Sequence, residues 1–151
     1  MSAAGNRSAG NPSAGNPSAG NRADEAAGLA AAWAPTAGRL LLGLVLAWFG
    51  YHELVQPALW TGYVPVVRSG SGLAALLVLA HGWLLLVLAV AMIAGIAPRA
   101  TATAAAVLLL EIVISLTVTG GLSDLTLRDV GVLGLAVCLT GRHSQRLTLR
   151  R

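Results

Sequence analysis

Apolar residues occur along this chain in long uninterrupted runs, with no polar face recurring at a helical or strand spacing. The clearest run covers residues 73–97, and others cover residues 38–54, 100–118 and 125–140. An α-helix needs about 20 apolar residues to cross a bilayer, and a helix that is apolar on every side faces lipid or a buried core. The pattern therefore predicts an all-α integral membrane protein, a bundle of four membrane-spanning helices.

The first 35 residues follow a different pattern, a repeat of five residues that reads GNPSA at 10–14 and again at 15–19. Gly, Asn, Pro and Ser offer little to bury and favour turns, so residues 1–35 are predicted to be a disordered tail. One alternative is a short helix over 23–34 at the membrane surface, anchored by Trp33 and ended by Pro35. The membrane domain then covers 36–141.

The breaks between the apolar runs, and the small residues within those runs, predict how the helices pack. Pro98 and Arg99 are expected to end the second span, and a third span that starts at residue 100 makes a tight antiparallel hairpin with it. Small residues four apart let helices approach closely in lipid. Three such pairs occur: Gly43 with Ala47, Ala91 with Gly95, and Gly134 with Cys138.

Charge and composition then give an orientation. The chain is 56% hydrophobic and only 11% charged, with a net charge of +4 from ten basic and six acidic residues. Positive charge is retained on the cytoplasmic side of membrane proteins. An orientation with both termini cytoplasmic leaves only Arg68 and Arg128 outside, and residues 142–151 become a basic cytoplasmic tail. Topology thus accounts for the basic charge, and no nucleic-acid partner is predicted.

Ionisable residues within the apolar runs are the candidates for function, because a charge in a bilayer is costly without a partner or a water-filled cavity. At 1.5 Å per residue, His81 lies ~13 Å below the outer end of its span and Glu111 lies ~12 Å from the same face. All four spans contribute to this layer, which suggests one polar pocket for a quinone head group, a proton or a small polar substrate. Ion pairs that only hold the bundle in register are the alternative. The candidate residues are His52, Glu53, His81, Glu111, Arg128 and Asp129.

Two aromatic residues near the outer face and one cysteine deep in the fourth span carry further predictions. Trp60 and Tyr63 are expected either to line its mouth or to form an aromatic belt at the headgroup level. Cys138 is the only cysteine, which excludes an internal disulfide or a paired-cysteine redox site within one chain, and it is expected to pack between helices. No metal site is predicted, because the histidines are few and lack ligand spacing.

The order of several short motifs resembles the DoxX family of four-span bacterial membrane proteins. The motifs are GRLLLG at 38–43, WFGYHEL at 48–54, GYVP at 62–65, AGIAPR at 94–99 and LRD at 127–129, with Glu111 between the last two. The family is similar to the small subunit of thiosulfate:quinone oxidoreductase. The resemblance implies a multi-pass protein of the bacterial inner membrane, linked to redox complexes, with quinone as the one cofactor to consider.

Three functions remain open at this point. The first is a subunit of a membrane redox complex linked to quinone or to thiol and sulfur chemistry, which is not expected to be catalytic as an isolated chain. The second is an assembly or scaffold protein that acts through its lipid-facing surface, and the third is a small transporter. Expected partners are the lipid bilayer and either a membrane-associated protein or further copies of the chain.

Overall fold

The computed structural model describes residues 17–141, with side chains described from residue 21 onward. Within that range the chain is helical and contains no β-strand, which confirms the predicted all-α fold. The predicted repeat tail up to residue 16 and the predicted basic tail, 142–151, lie outside the described residues. The helices are α1 (Pro17–Val55), α2 (Gly72–Ala94), α3 (Pro98–Gly120) and α4 (Asp124–Thr140), and two short 3₁₀ helices, Pro57–Leu59 and Thr61–Tyr63, lie between α1 and α2.

Three of these helices are long and apolar enough to cross a membrane: Asn21–Val55 within α1, and the whole of α2 and α3. The fourth, α4, has 17 residues, which corresponds to ~25 Å of helix and is slightly shorter than the hydrocarbon core of a typical bilayer. The structure therefore supports a helical membrane protein with three span-capable helices and a shorter fourth helix.

The start of α1 differs from the prediction. The helix begins at Pro17 and continues through Pro35, so disorder is wrong for residues 17–35, and the expected separation at Pro35 is absent. Residues 26–34 consist mostly of alanine, the strongest helix former, which outweighs the turn preference of the repeat. The chain divides into two units, 1–31 and 32–151. In the first unit the side chains of residues 21–31 are all exposed.

The connection between α2 and α3 lies earlier in the chain than the apolar runs suggested. Gly95 ends α2 in the left-handed conformation, φ 69°, and its N–H bonds to the carbonyls of Ala91 and Met92. Glycine adopts that conformation without steric cost. Pro98 begins α3 instead of ending α2, because the first helical position needs no N–H donor. The second span thus ends at Ala94 rather than at residue 97.

Glycines set the spacing between α1 and α2. A Cβ added to Gly50 would lie 2.8 Å from the carbonyl oxygen of Gly82, and one added to Gly43 would lie 2.8 Å from Ile93 Cγ1. The two backbones therefore approach closely, as predicted for Gly43. The pair on α4 behaves differently: a Cβ on Gly134 would meet nothing within 4 Å, and Cys138 is exposed. The prediction that Cys138 packs between helices is wrong, because that face of α4 points away from the other described helices.

The packed core of residues 32–141 lies toward the end of the helices where residues 95–97 connect α2 to α3, called here the hairpin end. Buried apolar side chains from all four helices fill it, and Thr36 and Arg39 are buried there as well. The opposite end, where residues 56–71 connect α1 to α2, is called the loop end. The core residues are Leu42, Leu46, Leu85, Leu88, Ala89, Met92, Ala102, Ala105, Leu109, Ala136 and Leu139.

Candidate functional site

A cavity of about 460 Å³ lies toward the loop end, between the four helices and the second 3₁₀ helix. Its walls are mostly aliphatic and aromatic side chains, and each of the four helices adds one ionisable side chain: Glu53 from α1, His81 from α2, Glu111 from α3 and Asp129 from α4. Small-molecule sites are commonly cavities of this size with apolar walls and few polar groups. The arrangement is therefore suited to binding a small amphipathic molecule.

Glu53 and His81 form the buried centre of the polar group. The Nδ1 atom of His81 lies 2.8 Å from Oε2 of Glu53, whose side chain is only 9% exposed. Because an ionised carboxylate only accepts hydrogen bonds, Nδ1 carries the hydrogen and donates it. The contact depends on the close approach of α1 to α2, since a Cβ added to Gly82 would lie 3.0 Å from Cβ of Glu53.

The other imidazole nitrogen of His81 is not held by a hydrogen bond to any described residue. Its Nε2 atom is buried, and no hydrogen bond to it occurs within residues 17–141. Oε2 of Glu111 lies 3.8 Å away, beyond hydrogen-bonding distance. The Glu111 side chain is 58% exposed, in contrast to that of Glu53. His81 thus has one nitrogen held by a buried carboxylate and one nitrogen available to a molecule in the cavity.

Asp129 lines the cavity but is already paired. Its Oδ1 accepts a hydrogen bond from Nε of Arg128 at 3.0 Å and forms an ion pair with Nη2 of the same residue, also at 3.0 Å. The guanidinium of Arg128 also lies 4.6 Å from the ring centroid of Phe49, a cation–π geometry. Arg128 itself is half exposed and is not among the residues that line the cavity. The contact with Phe49 joins α4 to α1, and the ion pair neutralises the buried carboxylate.

Besides Arg128, His52 is the other predicted pocket residue that the structure does not bring into the cavity. Its ring lies 4.6 Å from that of Trp48 and 5.8 Å from that of Tyr51, centroid to centroid. Successive residues of an α-helix point about 100° apart. Because Glu53 points into the cavity, its neighbour His52 lies on a different side of α1, where it stacks with aromatic side chains.

The two predicted mouth aromatics, Trp60 and Tyr63, both line the cavity. Trp60 meets the ring of Phe49 edge-on at 6.1 Å, and the hydroxyl of Ser115 donates a hydrogen bond to the carbonyl oxygen of Tyr63. This bond ties the loop to α3 at the edge of the cavity. The aromatic side chains therefore take part in the cavity wall, whether or not they also meet headgroups.

Phe49 and Ser115 are site residues that sequence reasoning missed. A usable signal was present, because Phe49 precedes Glu53 by four residues and Ser115 follows Glu111 by four residues. Residues four apart lie on the same side of an α-helix.

Comparisons with protein-family models, curated proteins and solved structures find no match for this chain. Within residues 17–141, no group of three or more His, Cys, Asp and Glu is arranged to hold a metal ion. What this site does therefore has to be argued from its geometry.

Proposed function

We propose that this chain is a DoxX-like membrane subunit of a redox complex and that its cavity binds the head group of a membrane quinone. The observation that carries the proposal is the Nε2 atom of His81, which lies buried at a cavity of about 460 Å³ with no hydrogen-bond partner among the described residues. A buried polar atom without a partner costs about 1–3 kcal/mol. A quinone carbonyl oxygen that accepts a hydrogen bond from Nε2 of the imidazolium form of His81, or a quinol hydroxyl that donates one to Nε2 of the neutral form, would remove that cost.

Quinone chemistry matches the residues around this atom. A quinone head is a flat ring with carbonyl oxygens, which suits apolar and aromatic walls with a few polar groups. Its reduction to the quinol takes up two electrons and two protons. His81 and Glu111, 3.8 Å apart, are groups that exchange protons, and Glu53 holds the imidazole in place. A partner protein supplies the electrons, since the lone cysteine of this chain forms no dithiol pair.

Matched histidine variants test the proposal directly. The chain is purified in mild detergent, and binding of a benzoquinone that bears a decyl chain is measured by quenching of tryptophan fluorescence. His81→Ala is expected to weaken binding roughly ten- to a hundred-fold through the loss of one buried hydrogen bond. His52→Ala is the control and is expected to leave binding unchanged. Equal affinity in the wild type and both variants would refute the proposal.

The proposal includes four spans, with both termini on the cytoplasmic side of a bacterial inner membrane. Two observations support it: eight of the ten Arg fall on the inner side in this orientation, and α4 begins at the loop end with a serine cap. Ser69→Cys in a Cys138→Ala background tests the topology. Labelling in intact cells by a maleimide that does not cross membranes is expected, because Ser69 is exposed in the outer loop. Labelling only after lysis would show that this loop faces the cytoplasm, which is the opposite of the proposed orientation.

A second function, assembly with another membrane protein or with further copies, is favoured by one face of α4. Cβ atoms added to Gly131 and Gly134 would meet nothing within 4 Å, and Cys138 is exposed. Small residues on an open helix face permit close contact with a partner helix in lipid. Cross-linking through Cys138 in native membranes tests this role. A Cys138-dependent adduct of defined mass supports it, and a chain that stays monomeric speaks against it.

A further inference from the structure

A second hollow lies beside the cavity, on the side of α3 that faces away from the core. It measures about 310 Å³ and is lined by five residues of α3 together with Pro65 from the loop. Two of its residues, Glu111 and Ser115, also line the cavity, so these side chains lie between the two spaces. The remaining residues of the hollow are Val107, Leu110 and Ile114.

The walls of the hollow are aliphatic. Val107, Leu110 and Ile114 are 64%, 48% and 54% exposed and are spaced three and four residues apart, which puts them on one side of the helix. From Val107 to Ile114 the helix rises ~10 Å. The hollow is thus a shallow apolar groove of about two helical turns, and it is called the groove below. Among the described residues, its only polar side chains are the two that it shares with the cavity, Glu111 and Ser115.

Glu111 is unusual at this junction. Ionisable residues within membrane-spanning segments almost always face the interior of the bundle or a water-filled cavity. The Glu111 side chain is 58% exposed, yet one of its carboxylate oxygens lies 3.8 Å from His81 at the cavity. Glu111 therefore lies between the polar cavity and the exposed side of α3.

Because Glu111 and Ser115 border both the cavity and the hollow, we infer that the ligand is a quinone with a hydrocarbon tail and that it occupies both spaces. The inference rests on the proposed function of the cavity. The head lies beside His81, the tail passes Glu111 and Ser115, and the tail then follows the groove along α3.

The direction of the groove matches that of such a molecule in a bilayer. Ile114 lies ~9 Å and Val107 ~20 Å from Gly120, the loop end of α3. A head near the loop end with a tail that runs from Ile114 toward Val107 therefore points its tail toward the middle of the membrane. A quinone dissolved in the bilayer can reach the cavity from the side, without passing through water.

Two probes and one matched pair of variants test the inference on the full chain in detergent. The probes are a benzoquinone with a decyl chain and the same benzoquinone with a methyl group in its place. Val107→Trp fills the groove. Val90→Trp is the control, because Val90 lies on α2, is also 64% exposed and lines neither space.

The expected result is selective. Val107→Trp weakens binding of the decyl probe about ten-fold, equivalent to withdrawing about two methylene groups from an apolar contact, and leaves the methyl probe unchanged. Val90→Trp changes neither probe. Equal binding of both probes to the wild type, or equal weakening of both by Val107→Trp, would overturn the inference and leave the proposed function intact.

Two further outcomes are decisive. A shift of the chain from dimer to monomer in Val107→Trp, with no difference between the probes, would assign the groove to a second copy of the chain and overturn the inference. Failure of both probes to bind the wild type would instead overturn the proposed function, and the inference with it.

Discussion

The two ends of the helical unit 32–141 are built differently. At the hairpin end, small side chains such as Ala102, Ala105 and Ala136 are fully buried, and the helices close around them. At the loop end, longer side chains line a cavity of about 460 Å³, and four ionisable groups meet there. The bundle is thus closed at the hairpin end, where alanines are buried among larger apolar side chains, and open at the loop end. Stability and ligand binding are therefore expected to respond to different substitutions.

The two carboxylates beside His81 also differ in burial. Glu53 is buried and hydrogen bonded, whereas Glu111 is mostly exposed and lies beyond hydrogen-bonding distance. A buried, partnered charge contributes to holding the helices together, and an exposed one can move toward a ligand.

Removal of a large side chain from the closed end should have the largest effect. Leu42→Ala deletes a side chain that is 0% exposed, and the resulting cavity should lower the free energy of unfolding by about 2–5 kcal/mol. Leu84→Ala, at the wall of the cavity and 48% exposed, should cost about 1 kcal/mol or less. Unfolding in mixed detergent micelles measures both. Equal losses would mean that the two ends are packed alike.

A methyl group at the α1–α2 contact should have a smaller effect. Gly50→Ala places a Cβ 2.8 Å from the carbonyl oxygen of Gly82, so the helices must separate, at a cost of about 1–3 kcal/mol. Gly134→Ala meets nothing within 4 Å and should be neutral or stabilise α4 by up to about 1 kcal/mol. Thermal unfolding followed by circular dichroism distinguishes the two. A destabilised Gly134→Ala would indicate that the open face of α4 has a partner.

Truncation of the two carboxylates completes the series. Glu53→Ala leaves Nδ1 of His81 without its acceptor and should lower the free energy of unfolding by about 1–3 kcal/mol. Glu111→Ala should change it by less than about 0.5 kcal/mol, as is usual at exposed positions, while it weakens quinone binding. The same unfolding assay, combined with the fluorescence titration, reports both properties. Loss of stability in Glu111→Ala without loss of binding would make that carboxylate a structural group.

Much of this organisation could be expected from the residues alone. Long apolar runs predict helices because a chain in lipid must satisfy its backbone hydrogen bonds internally. Depth estimates placed His81 and Glu111 at one level, and the two side chains lie 3.8 Å apart. Depth along a helix depends only on residue number, so it is readable from a sequence.

What could not be predicted depends on rotation about each helix and on contacts between helices. Nothing in an apolar run shows whether His52 or Glu53 points inward. Asp124 precedes Arg128 by one turn, yet Arg128 pairs with Asp129, because its guanidinium also lies over Phe49 on another helix. The start of α1 was missed because local turn residues and helix-forming alanines compete there, and the repeat pattern alone does not weigh them.

The short connection between α2 and α3 bears on how the protein is made. Residues 95–97 alone separate the two helices, so no longer segment connects them. In the proposed orientation, so short a turn requires the pair to enter the bilayer together as one helical hairpin, with Arg99 on the cytoplasmic side. In that orientation, biogenesis of this fold depends on Gly95, which ends α2, and on Pro98, which begins α3 directly after the turn.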